Sequence, residues 1–251
     1  MKKPNFNSGN GDSVFRLLFA NSAHKDWALS LLNAIHTSNV TDPELVQLRI
    51  EEDLFSIMVK DTGITIIGNT ALYYAFSGDY RIHISMRILR HLASRYEEII
   101  GHDVDYLSAD IPIKLPPSKH FLLYNGNSPD IPPNALFVLS DVYEDGERGR
   151  FGEGDVIDVR VQLLSVSRGC SEFIRGACRP LEEYTWIIND IYSGTTGGLT
   201  LSEAIRSTLE RLPHKFVIRD VLLKDIDMTT AMLEDDLRYV PRFIPLPYSI
   251  D

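Results

Sequence analysis

Arg87, Arg90, His91 and Arg95 sit close together in the chain. If the backbone is helical from Ile84 onward, Arg87, His91 and Arg95 recur at i, i+4 and i+8, with Arg90 beside them. Together with Arg81 they could form a local basic face able to meet nucleic-acid phosphates. The same stripe could equally be a solvated helix surface paired with Glu97 and Glu98. The whole chain carries a formal net charge of −10 and a pI near 5.2, so it has no global positive field. A nucleic-acid binder needs such a field to neutralise phosphates and release counterions. Contact with DNA, if it occurs, must therefore be local.

Other reactive side chains fall in patterns that argue against familiar chemistries. His83, His91 and His102 lie eight and eleven residues apart. Neither interval makes the i, i+4 pair that a helical zinc site uses. Cys170 and Cys178 lack CxxC spacing and fit a reducing compartment better than a disulfide scaffold, although a single bridge or a redox pair stays open. Ser165 and Ser167 have no nucleophile-elbow context. Ser193 to Gly198, SGTTGG, lacks the GK[ST] ending of a phosphate loop and reads as a flexible linker after a helix. Asp155 to Arg160 reads as an exposed strand edge with Asp158 and Arg160 facing solvent.

The elements that would carry these residues follow from periodicity. With 251 residues, 44% of them hydrophobic, the chain can bury a sizeable core without disulfides. Asp12 is a good N-cap for SVFRLLF, whose apolar residues share a helical face. A second helix is expected over Lys25 to Ile35. Residues 54–60 and 64–70 alternate around the turn tetrapeptide Lys60-Asp61-Thr62-Gly63, which predicts a hairpin. Both of its runs are apolar on both faces, so it belongs in a sheet interior. Tyr80 to Ile100 has a helical pattern ended by Gly101. His120 to Gly126, HFLLYNG, reads as a buried central strand, Ala135 to Leu139 as another, and DVIDVRVQLLSV as a third. Helices are expected at Arg179–Tyr192, Ser202–Leu212, Val217–Leu223 and Met228–Leu237. The tail PRFIPLPYSID has three prolines and cannot be helical throughout.

Helices, then strands, then helices predict one α/β or α+β domain over residues 1–251. It would comprise a disordered lead at 1–11, a core over about 12–165, and C-terminal helices over about 175–240. No apolar run reaches the roughly 18 residues of a membrane helix. The first residues lack the apolar segment of a signal peptide. The expectation is a cytoplasmic protein with no membrane partner.

Several segments, in order, resemble the Rpn family of bacterial recombination-promoting nucleases. Asp12-Ser13-Val14-Phe15-Arg16-Leu17-Leu18-Phe19 is similar to that family's opening DxVFKxLF helix. Leu31-Leu32-Asn33-Ala34-Ile35 resembles its LLNAI segment. Phe121-Leu122-Leu123-Tyr124-Asn125-Gly126 followed by Leu139-Ser140-Asp141-Val142-Tyr143-Glu144 resembles its LYNG and LSD pair. Leu199 to Ile205 resembles its LxxAI helix. The resemblance implies a PD-(D/E)XK nuclease superfamily fold, a restriction-endonuclease-like mixed sheet flanked by helices, and Mg²⁺-dependent DNA cleavage.

In that chemistry Mg²⁺ polarises the phosphate and generates hydroxide near neutral pH. It needs one or two carboxylates, with water and phosphate filling its remaining positions. By resemblance, Asp12 stands where a helix acid can stand, and Asp53 is the nearest candidate for the first-strand metal ligand. The acid and amide of the second strand fall on Gly68 and Thr70. Glycine supplies no ligand, and residues 64–78 contain no Asp, Glu, Lys or Gln. The expectation is a degenerate nuclease with a DNA-associated or protein-interaction role in mobile-element or defence biology. Its partners would be DNA, a second copy of itself or a related nuclease. Two alternatives stand beside it. One is an active endonuclease using Mg²⁺ and a relocated carboxylate from Asp79, Glu97 or Glu98. The other is a protein-binding module with no nucleic-acid role.

Overall fold

The computed structural model describes residues 13–36, 38–51, 54–59, 65–69, 80–101, 115, 118–124, 135–142, 157–165 and 176–238. It is a mixed α/β structure, mostly helical. Two helices, α1 (Ser13–Phe19) and α2 (Lys25–His36), precede three strands, β1 (Val46–Glu51), β2 (Leu54–Val59) and β3 (Thr65–Asn69). Helix α3 (Tyr80–Ile100) follows, and Gly101 ends it at φ +85°, donating its N–H to the Glu97 carbonyl. Only glycine takes that left-handed conformation without steric cost. Then come β4 (Ser118–Tyr124), β5 (Leu136–Val138) and β6 (Arg160–Ser165). Helices α4 (Arg179–Thr196), α5 (Leu201–Glu210), α6 (Arg219–Leu223) and α7 (Ile226–Arg238) complete the described chain.

The six strands form one sheet in the order β1-β2-β3-β4-β6-β5. β1, β2 and β3 are an antiparallel meander; β3, β4 and β6 run parallel, and β5 closes the edge antiparallel. The expected hairpin is therefore present, and both of its strands are interior. Residues 46–51, which precede it, add a strand of their own.

Two expectations need correction. Of the strand edge expected at 155–160, residues 155 and 156 lie outside the described residues, and only Arg160 belongs to a strand, β6, which lies between β4 and β5 and is no edge. Val159, Val161 and Leu163 are buried there, while Arg160 does face solvent. Asp158 accepts a hydrogen bond from the Ser140 N–H and pairs with Arg160. Nor is SGTTGG a flexible linker throughout, since α4 continues to Thr196. A Cβ on Gly194 would lie 3.0 Å from the Ala204 methyl, so the missing side chain lets α4 and α5 approach closely. Ser193 donates its hydroxyl to the Asn189 carbonyl, and Thr195 and Thr196 donate theirs to Tyr192. A capping box then starts α5: the Thr200 hydroxyl accepts from the Glu203 N–H, and the Glu203 carboxylate accepts from the Thr200 N–H.

The main core lies between one face of the sheet and the helices. Val46, Ile57 and Phe121 contribute from the strands. Phe15, Leu18 and Phe19 of α1, Leu31 and Leu32 of α2, and Tyr184, Ile187 and Ile188 of α4 meet them. The rings of Phe15 and Phe19 sit 4.5 Å apart, and Phe15 meets Tyr184 edge-on at 6.1 Å. The C-terminal helices thus share a core with the first two helices of the chain.

Candidate functional site

Strand register decides which positions near β3 could act together. Gly68 is opposite Phe55 on one side and Phe121 on the other. Phe121 is buried in the main core. Alternate residues of a strand share a face, so position 68 lies in the row directed at α1 and α2. The next row runs from Arg49 through Ser56, Ile67 and His120 to Val161 and Phe137. This row faces α3, because Arg49 reaches the Glu98 carboxylate on that helix.

The α3 face of the sheet holds the polar groups. Glu98 accepts hydrogen bonds from both Arg49 and Arg95, the latter at 2.6 Å. These two guanidinium groups, Arg49 first, hold its carboxyl below the usual range against a smaller opposing effect of desolvation. His120 lies at the start of β4. Its Nδ1 is 3.2 Å from the Arg160 carbonyl, and its Nε2 is 3.0 Å from the Ser118 hydroxyl. A carbonyl can only accept, so Nδ1 carries the proton and Nε2 accepts from Ser118. Burial, with a smaller push from nearby His91, lowers the His120 pKa, while its bond to the Arg160 carbonyl opposes the shift. This neutral imidazole beside a hydroxyl has the outline of a base and its donor. Its two ring nitrogens meet a hydroxyl and a carbonyl, neither of them a carboxylate, so it reads as a satisfied half-buried histidine.

The expected site residues are only partly described. Asp12, Asp53, Thr70, Asp79 and His102 lie outside the described residues. Arg87 occupies α3, but its side chain is outside the description. Arg90 is exposed. His91 is not on the outer stripe: it is buried against the rest of the fold, with only 3% of its surface exposed. The i, i+4 relation to Arg87 and Arg95 places the three in one broad sector, but the sheet covers the part that His91 occupies. Arg95 is tied to Glu98, and Glu97 stays exposed. The stripe is thus partly core, at His91, and partly internally paired, at Arg95.

For Mg²⁺, the described residues around β3 supply few donors. β3 reads Thr-Ile-Ile-Gly-Asn and brings no carboxylate in any register. Glu98 is already engaged by two arginines. Among the described residues, no group of three or more His, Cys, Asp or Glu side chains is placed to hold a metal ion. Cys178 is free and buried; burial pushes its thiol up to about 11. It is therefore protonated near neutrality and unsuited to nucleophilic or redox work. Cys170 is outside the described residues. No helix among the described residues is long and apolar enough to cross a membrane.

Two buried carboxylates that spacing alone does not reveal hold the scaffold together. Asp236 on α7 accepts from the Val14 N–H at the start of α1, 3.2 Å away and 222 residues distant in sequence. Glu183 on α4 accepts from the Ile218 N–H and from Arg179. The only sequence signal for either is an acid inside an apolar helical pattern. No family model, curated protein or solved structure matches this chain.

Proposed function

We propose that this chain is a non-catalytic relative of the PD-(D/E)XK nucleases, a restriction-endonuclease-like scaffold of the Rpn type that now works by binding, chiefly to protein. Two helices, an antiparallel meander, a crossover helix and a parallel fourth strand are consistent with the mixed, helix-flanked sheet that the sequence resemblance implies. The observation that carries the reading is β3. Its five residues contain no ionisable side chain, and position 68 lies in the row of the buried Phe121. A carboxylate there would be directed at the apolar core rather than at a phosphate.

Protein is favoured over DNA as the partner because the basic stripe on α3 is largely spent. His91 is buried and Arg95 is held by Glu98. The net charge of −10 adds long-range repulsion from a polyanion. Mobile-element or defence biology is the setting that the resemblance implies.

The test is direct. The protein is incubated with supercoiled, linear and single-stranded DNA in Mg²⁺ or Mn²⁺, and its DNA affinity is measured by gel shift at several salt concentrations. The expected outcome is no cleavage above background and weak binding. Robust cleavage lost on Asp53→Ala would overturn the non-catalytic reading. Tight binding with a steep salt dependence that Arg87→Ala and Arg90→Ala flatten would make DNA the partner.

A further inference from the structure

A cleft of about 480 Å³ opens on the far side of α4 from the sheet. Trp186 and Phe216 form its aromatic wall, with ring centroids 5.3 Å apart and planes at 89°. Pro213 extends that wall, while Glu182 and Lys215 stand at the rim. Its floor is fixed. The Glu183 carboxylate is 4% exposed and is held by the Ile218 N–H and Arg179, and Arg179 also reaches the Lys215 carbonyl. Trp186 is 38% exposed, the one exposed aromatic in this part of the described structure, and Val217 beside the cleft is exposed as well. An indole left half in water on a rigid groove, flanked by an exposed acid, suits a proline-rich segment carrying a cation. Such segments enter aromatic-lined grooves as preformed extended helices and lose little entropy.

The chain contains such a segment. Residues 239–251 read Tyr-Val-Pro-Arg-Phe-Ile-Pro-Leu-Pro-Tyr-Ser-Ile-Asp, with Pro241, Arg242, Pro245 and Pro247. It follows α7, which ends at Arg238. Near that end Asp236 touches Val14, and the neighbouring Phe15 ring packs on Tyr184, two residues before Trp186 on α4. The segment therefore starts beside the helix whose far side bears the groove. Its 13 residues span about 40 Å in an extended proline helix. Passing around one α-helix, with a diameter of about 10 Å, is well within that reach.

We propose that residues 239–251 dock in cis on the Trp186–Phe216 groove, their prolines against the two rings and Arg242 beside Glu182. The docked segment would close the only aromatic surface that this helical layer leaves open among the described residues. A partner with a competing proline-rich sequence would have to displace it. The groove would then be a regulated binding site.

The experiment uses the full chain labelled with 5-fluorotryptophan. The chain has two tryptophans, and Trp27 is stacked on His24 and serves as an internal control. Pro245→Ala with Pro247→Ala is expected to shift the Trp186 fluorine resonance and raise its quenching by acrylamide, leaving Trp27 unchanged. Arg242→Glu should do the same, and adding Glu182→Arg to it should restore the wild-type resonance. A synthetic peptide of residues 239–251 added to the proline variant should return Trp186 to its original position. An unchanged Trp186 signal in both tail variants would overturn the proposal. A signal that reverts to the exposed state on dilution would place a second copy's segment in the groove and overturn docking in cis.

Discussion

On the side of the sheet that meets α1 and α2, Val46, Ile57 and Phe121 join a continuous apolar core. On the α3 side stand Arg49, Glu98, Arg95, His91 and His120, the last of them opposite the buried Val161 of β6. The first face obtains its stability from dispersion and area removed from water. The second carries charge, and it pairs Glu98 with Arg49 and Arg95 while the Arg160 carbonyl anchors the His120 imidazole. A metal-dependent hydrolase would need its carboxylates where solvent and phosphate can enter. Here the second-strand position assigned to the acid belongs to the apolar face, and the polar face has spent its carboxylate on arginines. The contrast is the physical basis of the non-catalytic reading proposed above.

The apolar face should give the largest response. Phe15 is fully buried and packs on both Phe19 and Tyr184. Phe15→Ala should cost about 3–5 kcal/mol in denaturant unfolding, from lost transfer energy and the cavity left behind. A loss below about 1 kcal/mol would mean that α1 is not part of the cooperative core.

Gly68→Glu probes the boundary between the two faces. If position 68 belongs to the row of Phe121, the new carboxylate must enter an apolar environment, and stability should fall by about 2 kcal/mol or more. Adding Thr70→Gln restores the acid-x-amide pattern but should yield no cleavage. Unchanged stability together with metal-dependent cleavage would mean that position 68 opens onto a usable site.

Asp236→Ala tests the long-range tie between the ends of the fold. It removes the acceptor for the Val14 N–H and should cost about 1–3 kcal/mol. Asp236→Asn keeps an acceptor and should cost less. Equal losses from the two variants would assign the effect to the charge rather than to the hydrogen bond.

These ties also mark what spacing could and could not reveal. The hairpin, α3 with its terminal glycine, and the four C-terminal helices follow from local periodicity and breakers, so they are legible in the chain. The Thr200–Glu203 box is equally local. By contrast, the end of α4 depends on Gly194 meeting Ala204 across a helix pair, and no window around SGTTGG contains that contact. The Asp236–Val14 bond joins the two ends of the described chain. The inner position of β6 depends on which strands flank it. The burial of His91 depends on which sector of α3 meets the sheet, a choice that the i, i+4 spacing leaves open.

The smallest expected effects come from the polar face, and pH separates them. His120 has a lowered pKa in the folded protein, so folding favours its neutral form. Its contribution is complete above the unfolded value of about 6.5 and is lost as pH falls through the lower folded value. His120→Gln should flatten that part of the stability profile. Glu98 is also lowered, chiefly by Arg49, so its contribution is present above the usual glutamate range and disappears as pH falls through its folded pKa. The pair is substantially exposed, so a double-mutant cycle of Arg49→Ala and Glu98→Gln near neutral pH should give a coupling of about 0.2–1 kcal/mol. Salt should reduce it, and acid below the folded pKa should abolish it. A coupling that survives both would mean that Arg49 and Glu98 act through packing rather than through charge.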